Sequence, residues 1–336
     1  MNAIRLLCIV TLCLFSIVLP PQAVAAELTL PRDGWASWQV PAVENAPDWC
    51  CFSNWNGRNA TAQPCPLDRR NGSWGGRDEA TTDSIRVYAR FAGGEIDRLR
   101  ALSATCPVQT DTEIHDLGAV SVDDSARWLT ALVKGREPNG DTSRRYADDA
   151  LAALAMHRGN TAFDALVGIA RHDTRDENRK HAVFLLAHLR GLEGAEIATS
   201  MMFSDSDADV RQHAAFAVSQ SMSPHAARDL IRLATTDPAA NVRSHAWFSL
   251  AQTKSPETED AIGGALRKET DRHVREQAIF ALSQLPDERA TRALISVAEN
   301  KSLAREERKR AVFWLSQSES SAAQKYLDDI LAKAPR

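Results

Sequence analysis

Beyond residue 26 the chain has no apolar run long enough to cross a bilayer as a helix, which excludes a helical membrane protein. It also lacks a surplus of positive charge: 40 Lys and Arg face 44 Asp and Glu, with both signs spread along the chain. That balance argues against a nucleic-acid surface. No HExxH, GxSxG, P-loop or GxGxxG phrase occurs, so no recognised catalytic or nucleotide-binding motif is present. No cysteine follows Cys106. These absences point to a protein that is not an enzyme and needs no cofactor or metal.

The stretch MNAIRLLCIVTLCLFSIVLPPQAVAA has one positive charge at Arg5, an apolar run from Leu6 to Leu19, and small residues at Ala23, Ala25 and Ala26. This is the pattern of a secretory signal, too short for a comfortable span, with cleavage expected near Ala25 or Ala26. Residues 1–26 are therefore read as a signal peptide, and the mature protein as soluble and periplasmic or secreted. Neither Cys8 nor Cys13 has a small residue just before it, which argues against a lipoprotein anchor. The four remaining cysteines, Cys50, Cys51, Cys65 and Cys106, would enter an oxidising compartment. Two disulfides follow, in any of three connectivities. A zinc site is the weaker rival, because CC-x13-C lacks the close CxxC pairs that grip a metal. The neighbours Cys50 and Cys51 could form a strained, reducible pair with a thiol-disulfide role. Bridging to different partners, Cys65 and Cys106, is the favoured reading.

Residues 27–120 read as a loop-rich, cross-linked lobe. SIRVYARFAGGEIDRLRALSA holds two alternating apolar and polar runs around Gly93 and Gly94, which predicts an antiparallel β-hairpin. WCCFSNWNGRNATAQPCPLDRRNGSWGG before it has turn residues throughout. Its NAT and NGS triplets at Asn59 and Asn71 match a glycosylation sequon too short to carry weight.

From residue 121 to 336 the pattern is helical. An alanine recurs at Ala182, Ala214, Ala246, Ala278 and Ala311, every 32 or 33 residues. Three positions before each stands Arg179, Arg211, Arg243, Arg275 or Arg308, and four after stands Leu186, Val218, Leu250, Leu282 or Leu315. A second set, Ala198, Leu230, Ile262, Leu294 and Leu327, keeps the same period. Spacings of three and four line one face of a helix, so each unit is a pair of amphipathic helices. Pairs this short cannot close a core alone and must stack into an α-solenoid. The arginines are expected to bond an acid or carbonyl of the inter-helix turn, with Asp207 and Asp271, four residues earlier, as partners of Arg211 and Arg275.

DADVRQHAAFAV, AANVRSHAWFSL and DRHVREQAIFAL resemble the VRxxAxxAL signature of HEAT repeats, and in particular the short units also seen in phycobilin lyases. The resemblance covers roughly residues 140 to 334. The whole arrangement is similar to exported bacterial HEAT-repeat proteins with a Cys-bearing N-terminal lobe. It implies a mainly α solenoid and supplies no activity. A lyase acting on a tetrapyrrole is the enzyme-class rival it raises, and an export signal with disulfides does not suit that role.

One column exceeds what a solenoid core requires. Phe184, Phe216, Phe248, Phe280 and Phe313 lie about 160° around the helix from the recurring alanine. Four residues further stand His188, Gln220, Gln252, Gln284 and Gln317, a spacing that sets the polar group beside the ring. Just before the alanine come His181, His213, His245, Gln277 and Arg310. If the second helix of each unit lines the inner curve, an aromatic ladder flanked by amides faces a groove suited to an extended peptide. These FxxxQ pairs are similar in chemistry to the WxxxN pairs of armadillo repeats. The alternative is that each ring wedges against the neighbouring helix and stays mostly buried. The expectation is a non-catalytic scaffold binding another envelope or secreted protein through those ten residues, and no nucleic acid. A redox lobe and a purely structural spacer stand as the other readings.

Overall fold

The fold is taken from a computed structural model, which describes residues 28–53, 61–69, 74–135 and 141–333. The expected signal peptide and the triplets at Asn59 and Asn71 lie outside the described residues. Among the described residues the chain first forms nine strands: β1 (Gly34–Pro41), β2 (Pro47–Ser53), β3 (Thr61–Gln63), β4 (Cys65–Pro66), β5 (Trp74–Thr81), β6 (Ser84–Ala92), β7 (Glu95–Ser103), β8 (Val108–Gln109) and β9 (Ile114–Ala119). Thirteen helices follow: α1 (Val122–Lys134), α2 (Asp141–Met156), α3 (Asn160–His172), α4 (Asp176–Leu189), α5 (Gly191–Ser204), α6 (Ala208–Ser219), α7 (Ala226–Thr236), α8 (Ala240–Gln252), α9 (Thr258–Leu266), α10 (Arg272–Ser283), α11 (Asp287–Glu299), α12 (Arg305–Ser316) and α13 (Ser321–Lys333).

The predicted hairpin is β6–β7, antiparallel, turning at Gly93 and Gly94. Both glycines have positive φ, 63° and 87°, which a two-residue turn of this hand demands. The N-terminal part holds more sheet than the expected single hairpin. A four-stranded sheet runs β7-β6-β1-β9, with β1 and β9 parallel and the other pairs antiparallel. A second sheet, β3-β2-β5, and the short pair β4-β8 complete it. The physical reason β1 escapes a search for alternation is that both of its faces are covered. Ala36, Trp38 and Val40 face the helices, while Trp35 packs on the cysteines. A strand covered on both sides loses its polar face.

The helices form six antiparallel pairs, α1/α2 to α11/α12, and α13 follows unpaired. The recurring alanines are sealed at 0–1% exposure, and the leucine or valine four residues on is buried too. Even-numbered helices pack closely on one another from α2 to α12, whereas odd-numbered ones touch the next pair far less. A stack curves toward its more closely spaced layer, so the even row lines the inner face. On α13 Ile330 is 38% exposed, with no helix of the described residues covering it.

An open solenoid end exposes apolar surface and needs a cap. Here the four-stranded sheet supplies it. Trp38, Val40, Ile85, Val87, Ala89 and Leu99 form one continuous core with Ala126, Leu129 and Leu154 of the first helices. Trp38 and Trp128 meet edge to face at 5.2 Å. A buried polar chain crosses the same junction. Trp38 Nε1 donates to Ser125 Oγ (2.8 Å), Ser125 Oγ meets His157 Nε2 (2.8 Å), and His157 Nδ1 meets the Ala153 carbonyl (2.6 Å). That arrangement makes His157 a neutral imidazole with its proton on Nδ1. Complete burial, aided by the charge of Arg190, pushes the His157 pKa down to about 4, against the opposing pull of the Ala153 carbonyl.

Behind the sheet, two disulfides join Cys50 to Cys106 and Cys51 to Cys65, so the neighbours do bridge to different partners. All four cysteines are buried. Cys65 Sγ lies 3.5 Å from Cys106 Sγ, so the bridges touch. Among the described residues Cys50, Cys65 and Cys106 are the one close group of metal-ligand types, and disulfide bonding already occupies their sulfurs.

Candidate functional site: the aromatic row of the inner face

The arginine column builds the frame on which the row stands. Arg179, Arg211, Arg243 and Arg275 each reach forward to an acid at the turn or helix start of the next pair, and back to a carbonyl in the turn between the two helices of their own pair. Arg179 binds Asp205 with two nitrogens (3.1 and 3.2 Å), Arg211 binds Asp237 (2.8 and 3.0 Å), and Arg243 binds Glu269 (2.9 and 3.1 Å). Arg275 donates to Glu307 at 2.5 Å. Their remaining nitrogens donate to the carbonyls of Asp173, Asp205, Asp237 and Glu269, six residues earlier. This corrects the expected acid partner. Asp207 and Asp271 are helix N-caps, accepting from Asp209 and Val210 and from Val274. A cap residue has its carboxylate committed to the first turn of its own helix. The arginines, their pKa values raised by hydrogen bonds to these acids for Arg179, Arg211 and Arg243, therefore clamp each pair to the next.

On that frame α4, α6, α8, α10 and α12 carry Phe184, Phe216, Phe248, Phe280 and Phe313. None is buried: Phe216 is 40% and Phe313 48% exposed, and the other three are half-buried. Phe184 and Phe216 stack at 6.4 Å with planes 5° apart, and Phe248 and Phe280 stack at 6.1 Å and 3°. Four of the five rings thus form two near-parallel pairs, and Phe313 instead meets Trp314. His188 lies against Phe184 at 5.8 Å and 13°, so this i, i+4 neighbour stands beside its ring as the spacing predicts.

The glutamines have a more specific setting. Gln220, Gln284 and Gln317 are exposed C-caps of their helices, and half-buried Gln252 is the last residue of α8. Ser219, Ser283 and Ser316 each donate to the carbonyl of Phe216, Phe280 or Phe313 at 2.7 Å. The Gln amide nitrogen then donates to that serine oxygen at 3.1–3.2 Å. The repeated SQ therefore closes the helix end and commits the amide nitrogen within the motif.

Among the described residues no member of the histidine column belongs to a close group of metal-ligand types. His181 meets Asp148 at 3.0 Å, while His213 and His245 are exposed along the row. Partial desolvation of its ring against the helix, together with the neighbouring His213 and His273, holds the His245 pKa below its ordinary value.

Two hollows flank the row, and the sequence reading names neither. At the β-lobe end, about 510 Å³ is enclosed by Trp49, Met156, Phe184 and Leu189, with Arg100, Asp149 and His188 also lining it. At the other, about 290 Å³ lies among Glu276, Phe280, Arg310 and Trp314. Trp314 bridges the row there, 4.9 Å from Phe280 and 5.0 Å from Phe313. A signal for Trp314 exists, since equivalent positions hold Leu185, Ala217, Ser249 and Ala281 and a bulky indole breaks that pattern. For Trp49 there is none, because it comes from a part of the chain with no repeat.

The sequence profile of HEAT repeats matches residues 163–247 and 229–316. Among solved structures the chain is similar to human deoxyhypusine hydroxylase in complex with glycerol, at 17% identity, 63% of this chain, 80% of that one and a TM-score of 0.34. It is also similar to a phycocyanin lyase complex from Nostoc (17%, 60% and 80%, TM-score 0.30) and to Kap121p bound to Nup53p (15%, 62% and 25%, TM-score 0.37). No curated protein matches the chain. With the repeat profile lying on the helices that carry the alanine, arginine and phenylalanine columns, residues 163–316 form HEAT-like repeats.

Proposed function

We propose that the protein is a non-catalytic scaffold of the cell envelope or extracellular space, which holds an extended segment of a partner protein along the inner aromatic row. The observation that carries this reading is the exposure of the rings. A column buried for packing would be sealed like the recurring alanines, yet Phe216 and Phe313 are 40% and 48% exposed. Contiguous apolar surface on a water-soluble protein marks a place where something docks. The glutamines offer a matching polar contact: with Nε2 bound to serine, a partner's backbone N–H meets the amide oxygen. Export is supported by the two disulfides, which persist in oxidising compartments, and by the signal-like first 26 residues.

The test is a peptide library panned on the mature protein and counter-selected on a Phe216→Ser/Phe313→Ser double variant. Peptides retained by the native row and lost by a variant that still melts normally support the reading. Equal retention by both proteins, or collapse of the variant's fold, opposes it.

A further inference from the structure

The hollow beside Phe184 joins the two parts of the chain. Trp49 enters from β2, Met156 from α2, and Phe184 with Leu189 from α4. Trp49 is 37% exposed there, whereas Trp35 and Trp38 of the neighbouring sheet are sealed at 0–1%. Among the described indoles of the lobe Trp49 is the one left open, a departure that packing does not explain. Phe184 is shared: it walls the hollow and stacks on Phe216, so the hollow is the first station of the aromatic row.

We propose that this hollow seats one uncharged aromatic side chain of the segment lying along the row, an inference that rests on the groove reading above. Its volume of about 510 Å³ is within the range of ligand-holding cavities. The polar groups at its edge exclude an ion. Arg100 is bonded to Asp149 at 2.9 Å, so the guanidinium and the carboxylate among the described lining residues answer each other. An anionic occupant would have to take Arg100 from Asp149, and a cationic one would have to take Asp149 from Arg100. A charged group would also give up its hydration against walls of Trp49, Met156, Phe184 and Leu189. An aromatic ring is favoured over an aliphatic chain because the walls present π faces, the Trp49 indole and the near-parallel Phe184–His188 pair.

Methionine methyl signals test this directly, since the sequence has five methionines and Met156 alone lines the hollow. Mature protein labelled with methyl-13C methionine is titrated with N-acetyl-tryptophanamide and, separately, with N-acetyl-alaninamide. The expected result is a saturable shift of the Met156 methyl by the tryptophan probe alone, with exposed Met222 unmoved. Ala152→Trp, which fills the hollow, and Trp49→Ala, which removes a partly exposed wall, should each weaken the titration about tenfold or more. A Met156 signal indifferent to the tryptophan probe overturns the proposal, as does an unchanged titration in both variants. Phe313→Ser separates the two readings, because it alters the far end of the row and should leave the Met156 titration intact. Segment binding that depends on the Phe row, with no Met156 response, rejects the hollow alone. A Met156 response without segment binding rejects the row as the source of the occupant.

Discussion

The two parts of this molecule hold themselves together in opposite ways. In the helical array every stabilising device recurs: a sealed alanine, a leucine or valine one turn on, an arginine clamped to the next turn's acid. In the β-lobe none does. Its sheet pairs residues far apart in sequence, as in Trp35 opposite Arg90 and Ile114, and its interior is stitched by two touching disulfides. A solenoid adds stability unit by unit from nearest neighbours. A small lobe with a non-local sheet must close many loops at once, and cross-links reduce the entropy that opposes closure. The lobe is also the array's cap, so damage to it should reach the first helices, whereas damage to one repeat should stay local.

The sharpest way to break this contrast is to remove the longer bridge. A Cys50→Ser/Cys106→Ser variant loses a link spanning 56 residues and should fall by about 4 kcal/mol, read by denaturant unfolding. Hydrogen exchange should rise in α1 and α2 and stay unchanged in α8 to α12. Next comes one clamp: Asp237→Ala strands Arg211, which is 8% exposed, and should cost about 3 kcal/mol, with exchange raised only around α6 to α8.

Acid sharpens the comparison from the lobe side. His157 has a folded-state pKa below its ordinary 6.5, so the unfolded chain binds the extra proton more readily. Its contribution is complete above about 6.5 and is lost as pH falls toward about 4, at most about 3 kcal/mol across that window. A His157→Gln variant should flatten the melting temperature in that range. The smallest stability effect belongs to Phe216→Ser. Because the ring is 40% exposed, less than about 1 kcal/mol should be lost while segment binding fails.

The array was legible because its message is periodic. Phe184 to Phe313 stand out in a linear string since five copies average away local noise, and their half-exposure follows from an angle of about 160° to the buried alanine. The lobe offers one copy of everything. Strand β1 is covered on both faces, which erases the alternation that marks a half-buried strand, so only the β6–β7 hairpin could be read. The arginine partners failed for a related reason. Asp207 lies near Arg211 in sequence, but a cap position already engages its carboxylate, and the acid that answers the guanidinium is 26 residues on.

Repeat length, the amphipathic pairing of helices and the choice of residues on each face are written consecutively, so helical geometry alone turns them into a stacked array with an aromatic column. Other features arise where distant stretches meet. These include the pairing of Cys50 with Cys106, the sheet closing the open end of the stack, and the hollow between Trp49 and Phe184. No local spacing encodes such meetings, because they are fixed by which apolar faces find each other once the whole chain has packed.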